Sequence, residues 1–431
     1  MKYFIVTFGC QMNESDSERI ASALKKAKYK PASRINEADL IVINMCSVRQ
    51  AAVDRVLGKI IDFSKFKLQN ANCKFLLTGC ISKKDEKKFE KYFDYVLSIK
   101  TLNLWKDFLK EEKCFYYPPS RDSNFCEKFT NQYLKFNPHS SNNFSALIPI
   151  SVGCNNFCSF CVVPFARGPE INRNHKEIIK EAKTAIKKGA KEIWLLGQNV
   201  NSYKSANIDF PGLLRMVNKI PGNFWIRFTS SHPKDFSDEL METMKSCEKV
   251  TDYLNLPVQA GDNKILKKMN RPYTIEHYKN LVKKIRNKIP DICLSTDVIV
   301  GFPGETKKQF ENTVKLFKEI KFDMAYIAKY SPRPQTQAEK MKDNVSSEEK
   351  EKRKKIINEI LKKTALENNK KYIGKTIEVL IEKEEKGFLI GKTESYKTVR
   401  LKISNNSPAG GLVGKFIKIK ITEATPWRLK G

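Results

Sequence analysis

Short apolar runs alternate with polar, helix-compatible stretches through the first 125 positions of the chain. Tyr3–Phe8, Leu40–Ile43 and Lys74–Leu77 read as buried parallel strands, because a strand covered on both faces is apolar throughout and does not alternate. Asp16–Lys28 and Gln50–Phe63 supply helices between them, and the order predicts a small doubly wound α/β domain. A stretch rich in Pro, Ser and Asn, Tyr117–Ser145, breaks the periodicity and reads as a linker.

From Ala146 to Tyr330 the alternation resumes as six strand-then-helix units. The strands are Ala146–Ser151, Glu192–Leu196, Trp225–Thr229, Tyr253–Pro257, Cys293–Val300 and Met324–Tyr330. Glu305–Ile320 places Phe310, Val314 and Phe317 on one helical face. Six units fall short of the eight that close a barrel, so an open (β/α)6 partial barrel is expected, with its chemistry at the C-terminal strand ends. A charged helix follows over Glu348–Lys371, with Ser346 and Glu349 in capping-box spacing. The short runs Thr376–Ile381, Phe388–Ile390, Thr398–Ile403 and Phe416–Thr422 then suggest a small OB-like β-barrel.

At 431 residues the chain is too long for one core, and these patterns divide it at 1–125, 140–340 and 372–431. Hydrophobic residues at 41% and charged residues at 29% are those of a globular protein. The opening MKYFIVTFGCQMNESDSERI is neither a signal peptide nor a span, and no later run is long enough for one, which predicts a cytoplasmic protein without membrane contact. Lys and Arg outnumber Asp and Glu by 79 to 48, a net charge of +31 that attracts polyanions, nucleic acid above all. A lysine-rich genome raises the same count, so charge alone does not decide the matter.

Eleven cysteines in a reducing compartment point to metal or chemistry rather than to disulfides. Cys154, Cys158 and Cys161 sit on one loop directly after the first barrel strand, in SVGCNNFCSFCVVPFARGPE. Three thiolates hold three irons of a 4Fe-4S cluster and leave the fourth open to chelate S-adenosylmethionine. Structural zinc wants a fourth protein ligand, and that loop has no further His or Cys to give. Cys10, Cys46 and Cys80 each stand just past an apolar strand, in FIVTFGC, LIVINMC and FLLTGC, and are spaced by 36 and 34 residues, one strand–helix unit each. Right-handed crossovers bring such strand ends to one edge, so the three sulfurs converge on a second cluster with an open iron; singly, each is an ordinary small core residue. Cys73, Cys114, Cys126, Cys247 and Cys293 show no regularity and are given no role.

The barrel's strand-end loops offer polar groups for S-adenosylmethionine: Gly197, Gln198 and Asn199 in LLGQNV, Ser231 and His232 in TSSHP, Ser295 and Asp297 in STDVIVGFPGET. Turn glycines and helix caps account for each residue taken alone equally well. His139, His175 and His277 read as surface residues.

The sequence resembles the methylthiotransferases of the radical S-adenosylmethionine superfamily over nearly its whole length. The residues that carry this are GCQMNESDSE, NMCSVR, TGC, CNNFCSFCVVPFARG, LLGQNVNSY, SSHP, NLPVQAG, IVGFPGET and KITEATPWRLKG. Met45 and NLPVQAGD depart from the family's usual threonine and HLPVQSGS without removing a cysteine. The resemblance implies a methylthiotransferase N-terminal domain, a radical barrel and an RNA-gripping TRAM domain. It implies an auxiliary 4Fe-4S cluster on Cys10, Cys46 and Cys80 and a radical 4Fe-4S cluster on Cys154, Cys158 and Cys161. Two S-adenosylmethionine molecules are implied, for radical generation and methyl donation, and methylthiolation of C2 of N6-isopentenyladenosine-37 in the tRNA anticodon loop. Cofactors carry that chemistry, and an unpaired loop base is turned out at low cost. Lys392, Arg400, Lys402, Lys415 and Lys420 are candidates to hold the tRNA backbone, and Tyr396 or Trp427 to stack on a base, with core packing the ordinary alternative for either. An electron donor such as flavodoxin and a sulfur or cluster carrier are expected partners of a monomer. The alternatives are threonylcarbamoyl-adenosine or a ribosomal-protein aspartate as substrate, or a non-catalytic iron–sulfur redox protein that binds RNA.

Overall fold

The computed structural model describes residues 1–70, 72–116, 123–139, 142–403 and 411–431. Its first sheet runs, in spatial order, Lys30–Pro31, Lys2–Phe8, Leu40–Cys46, Lys74–Cys80, Tyr95–Leu97 and Cys114–Tyr116, all parallel. Successive side chains of one strand serve opposite faces. Leu40 and Val42 join Ile20 and Leu24 of helix Gln11–Lys26. Ile41 and Ile43 join Val53, Val56 and Ile60 of helix Gln50–Gln69. The sheet is thus doubly wound, and Lys2–Phe8 has its two neighbours on opposite sides, the switch point at which such sheets open a crevice.

The two helices are longer than their apolar spacing indicates. The first begins at Gln11 because Cys10 and Asn13 close a capping box there, five residues ahead of Asp16. Helix Ser123–Leu134 occupies part of the stretch that composition marked as linker; Tyr133 and Leu134 are buried against the first face of the sheet, with Thr130 buried beside them. Positions 117–122 and 140–141 of that stretch, and the side chain of Cys126, lie outside the described residues.

The central region forms two parallel three-stranded sheets, Ser145–Pro149, Glu192–Leu196 and Trp225–Phe228, then Tyr253–Asn255, Cys293–Val300 and Met324–Lys329. They join where Ile226 N–H donates to Lys249 O (2.6 Å) and Thr251 N–H donates to Ile226 O (3.1 Å). First and last strands do not pair among the described residues, so the barrel is partial. Helix Lys307–Ile320 starts with a capping box of Thr306 and Gln309 and buries Phe310 and Phe317. Glu305, expected to open that helix, turns inward to accept from Gly301 N (2.6 Å) and Arg353 Nη1 (2.7 Å).

Helix Ser347–Lys370 is capped by Ser346, whose Oγ accepts from Glu349 N. The Glu349 carboxylate goes to Arg353 Nε (2.8 Å) instead of back to the cap, so no reciprocal box forms. The C-terminal sheet orders Phe416–Lys420, Thr376–Glu385, Phe388–Thr393, Thr398–Lys402, Leu429–Lys430 and Glu423–Ala424. An irregularity between Ile381 and Lys383 bends its longest strand, and it curls over Val379, Ile381, Leu389, Val399 and Leu429. Among the described residues no helix is long and apolar enough to cross a membrane.

Buried ion pairs join the three parts. Arg19 and Arg173 both hold Glu181 (2.8 and 2.6 Å), and Arg167 holds Asp16 (2.7 Å). Arg227, fully buried, pairs with Glu192 (3.0 Å) and donates to the carbonyls of Thr393 (2.8 Å) and Glu394 (2.5 Å). Arg227→Met should leave Glu192 buried without its cation and cost about 3–5 kcal/mol. A melting temperature equal to the wild type's would show that Arg227 holds neither Glu192 nor the C-terminal sheet in place.

Candidate functional site

The N-terminal cysteines are set by the ends of their strands. Cys46 and Cys80 are the last residues of Leu40–Cys46 and Lys74–Cys80, not residues beyond them, and stand opposite each other in register. Gly79 makes that approach possible: its φ is +117°, and a Cβ there would lie 2.3 Å from Met45 O. Cys10 lies at the N-terminus of helix Gln11–Lys26, its backbone N–H donating to Asn13 Oδ1 at 3.3 Å. Asn13 and Asn44, both fully buried, are cross-bonded: Asn13 Nδ2 to Asn44 Oδ1 (2.9 Å) and Asn44 Nδ2 to Asn13 O (2.7 Å). This amide pair ties the Cys10 turn to the strand that ends in Cys46.

A hydrogen bond from Cys80 lowers the pKa of Cys46 to about 6, and the same bond and burial push Cys80 well up. The positive charge of Arg167 pulls all three thiols of this trio down, against the burial that raises Cys10. Arg167 is itself 4% exposed and held by Asp16.

The second trio rides on the loop after Ser145–Pro149. Gly153 begins it at φ +86°, where a Cβ would lie 1.9 Å from Pro169 O, and its N–H donates to Gln198 Oε1 (2.5 Å). Ser159 anchors the far end, N–H to Met269 O (3.0 Å) and Oγ to Lys268 O (2.8 Å). Cys154 Sγ accepts from Asn156 Nδ2 (3.5 Å) and Cys158 Sγ from Arg271 Nη1 (3.7 Å). Burial pushes the thiols of Cys154 and Cys161 up.

All six cysteines line one cavity of about 480 Å³. Gly197, Gln198, Ser231 and Asp297 line it too. Ser231 Oγ and His232 Nε2 are buried without hydrogen-bond partners, a debt that a bound polar ligand would settle. Burial, with Arg271 and Lys234 nearby, holds His232 far below its ordinary pKa and so neutral. Asn199 and Ser295 stand behind the wall. Asn199 Nδ2 donates to Asp235 Oδ2 (2.7 Å), and Ser295 Oγ meets Tyr253 OH (2.9 Å) and Asn255 Nδ2 (3.1 Å). Ser295 thereby braces Asn255, which donates to Asp297 Oδ2 (3.1 Å).

The donor set is soft: two trios of thiols, each with one guanidinium beside it and no histidine among them. Among the described residues no three Cys, His, Asp or Glu side chains gather round a point that one metal ion could fill. Ligands of an iron–sulfur cube bind separate irons and stand further apart than the ligands of a single ion. Arg167, Arg271, Asn13 and Asn44 were not read from the sequence. Each is an ordinary polar residue until its partner is known, and Asp16 lies 151 positions from Arg167.

Of the candidates for RNA contact, Lys402, Lys415 and Lys420 are exposed. Arg400 lies on the Phe388 ring, 3.4 Å from its centroid. Lys392 is turned inward to Thr398 Oγ1 (2.8 Å), Trp427 is 38% exposed, and Tyr396 lines the cysteine-bearing cavity.

Three family profiles match the chain: the Radical SAM superfamily at residues 148–317, the uncharacterized protein family UPF0004 at 2–99 and the TRAM domain at 370–431. The tRNA-2-methylthio-N(6)-dimethylallyladenosine synthase of Thermoanaerobacter sp. (strain X514) is 40% identical over 442 residues, 100% of this chain and 92% of the relative. That of Clostridium novyi (strain NT) is 40% identical over 444 residues, covering 100% and 96%. Among solved structures, the radical S-adenosylmethionine methyltransferase TsrM from Kitasatospora setae, with cobalamin and a 4Fe-4S cluster bound, superposes with a TM-score of 0.59. It is 14% identical and covers 78% of this chain and 76% of its own, a likeness of fold alone.

Gly79→Ala tests the approach of Cys80 to Cys46. The forced left-handed backbone should cost roughly 1–3 kcal/mol in urea unfolding. Wild-type stability would show that the strand end tolerates a side chain there.

Proposed function

The chain belongs to the radical S-adenosylmethionine methylthiotransferases of transfer RNA, and from that premise we propose that it places a methylthio group on C2 of N6-isopentenyladenosine-37 in the anticodon loop. The observation that carries the proposal is the single cavity faced by six cysteines from two domains. The 40% identity to synthases named for dimethylallyladenosine favours that base over threonylcarbamoyl-adenosine or a ribosomal-protein aspartate. Membership in an enzyme family sets aside a purely redox-sensing role.

In this reading Cys154, Cys158 and Cys161 hold the radical 4Fe-4S cluster, and Cys10, Cys46 and Cys80 an auxiliary one. When bound, the clusters and two molecules of S-adenosylmethionine supply the electron, the radical chemistry, the sulfur and the methyl group. A C2–H bond of adenine is not acidic, so the chain's residues act by placement rather than by general base catalysis. Gln198, Ser231 and Asp297 offer polar atoms to S-adenosylmethionine beside the radical trio. Arg167 next to Cys80 favours the thiolate form that ligation needs, and Arg271 donates to Cys158 Sγ. Lys402, Lys415 and Lys420 present exposed charge to the tRNA backbone. A monomer served by an electron donor such as flavodoxin and by a sulfur or cluster carrier, in the cytoplasm, completes the proposal.

Two variants test it. Cys158→Ala, reconstituted without oxygen, should contain about four fewer irons and form no 5′-deoxyadenosine under dithionite; normal formation would sink the radical assignment. Cys46→Ala should still cleave S-adenosylmethionine yet give no methylthiolated tRNA by nucleoside mass spectrometry. Methylthiolation at the wild-type rate would rule out an essential auxiliary cluster.

A further inference from the structure

The turn between strands Phe388–Thr393 and Thr398–Lys402 reaches out of the C-terminal sheet and into the barrel from the end where its strands begin, beside Glu192 and Asp323. Four of its residues are fastened. Arg227 takes the carbonyls of Thr393 (2.8 Å) and Glu394 (2.5 Å), Tyr372 OH meets Ser395 Oγ (2.9 Å), and Lys397 Nζ pairs with Asp323 Oδ1 (2.5 Å). The fifth, Tyr396, is held at φ +62°. A bulky side chain avoids that region, and such strain persists only where the surroundings over-determine it, commonly at a site of function.

The strain aims one ring. Tyr396 lines the cysteine-bearing cavity, its centroid 5.0 Å from Trp194 and 4.9 Å from Tyr253. Tyr326, 49% exposed, faces the same cavity. Five aromatic side chains from the barrel region and the C-terminal domain, Phe160 of the radical loop among them, therefore share the cavity that carries the thiols. Behind Tyr396 and Trp194 lies a second cavity of about 770 Å³, lined by Glu14, Glu18, Glu192 and Glu382. Although Glu192 is paired with Arg227, this cavity is acidic and unfavourable to a phosphate chain, which makes Tyr396 a back wall where a base stops rather than a gate it passes.

We propose that the turn Thr393–Lys397 is an active-site element and that Tyr396 is a positioning residue, against whose ring the turned-out adenine of the substrate lies. The inference deepens the function proposed above and rests on its nucleobase substrate. A base taken from a loop loses its stacking neighbours and needs a flat replacement, and an aromatic side chain gives one to any base. The C-terminal domain thus does more than grip the tRNA outside; it supplies part of the wall that sets where C2 stands.

The test uses the full chain, reconstituted with its clusters, as wild type and as Tyr396→Phe, Tyr396→Trp and Tyr396→Leu. The first two variants keep a ring; the third keeps apolar bulk without one. Each is bound to an anticodon stem-loop RNA with 2-aminopurine at position 37, whose fluorescence falls on stacking. Wild type and both ring variants should quench it, and Tyr396→Leu should leave it bright at equal occupancy. With prenylated tRNA, kcat/KM should fall about 10- to 100-fold in Tyr396→Leu and stay near wild type in Tyr396→Phe. Equal quenching in Tyr396→Leu overturns the proposal. So does an equal loss in Tyr396→Phe, or a Tyr396→Leu protein that loses RNA binding together with its melting temperature, since the turn would then serve the fold alone. If the wild type quenches 2-aminopurine but methylthiolates nothing, the reaction proposed above fails while the place of Tyr396 stands.

Discussion

One buried guanidinium fixes the relation between the two halves of the site. Arg167 stands six residues after Cys161, in the loop system of the radical trio, yet its charge acts on the thiols of Cys10, Cys46 and Cys80. Asp16 accepts from its Nη2 at 2.7 Å, Tyr133 donates to Asp16, and Lys100 Nζ donates to the Arg167 carbonyl at 2.5 Å. A buried cation tolerates little displacement, because moving it away from its carboxylate exposes both to the cost of an unpaired charge. The loop system of the radical trio is thus tied to the N-terminal domain by a buried charge that acts on the other trio's thiols.

Around that pair the two domains use different devices for the same end. The N-terminal trio relies on regular structure: two strands in register, a glycine that lets them close, and a helix start tied down by cross-bonded asparagines. The radical trio lies on irregular chain and is instead pinned at both ends by hydrogen bonds to Gln198 and to residues 268–269. Loop sulfurs can be placed as firmly as strand sulfurs when the backbone's polar groups all find partners.

Much of this was legible in the residues. The six barrel strands stand where their apolar runs put them, because a parallel strand buried on both faces leaves little else to be. The cysteine spacing of one strand–helix unit foretold a common edge. Helix Ser123–Leu134 was hidden because it docks with few apolar residues in a stretch coloured by Pro, Ser and Asn. Asn199 stands just past its strand as expected, whereas Ser295 lies inside Cys293–Val300 and not in a strand-end loop; both found partners behind the wall, which no pattern records. Tyr396 was visible only as an aromatic in a basic domain; that it crosses to the barrel depends on Arg227 and Asp323, far away in sequence.

The curl of the C-terminal sheet has a bearing on the order in which the molecule is completed. Strand Thr398–Lys402, which carries one side of the turn, is paired on its outer edge with Leu429–Lys430. Domains form as they leave the ribosome, N-terminal part first. Both sets of thiols, with Trp194, Tyr253 and Tyr326, are therefore translated before the turn that brings Tyr396, which is the last side chain added to the wall of the chamber.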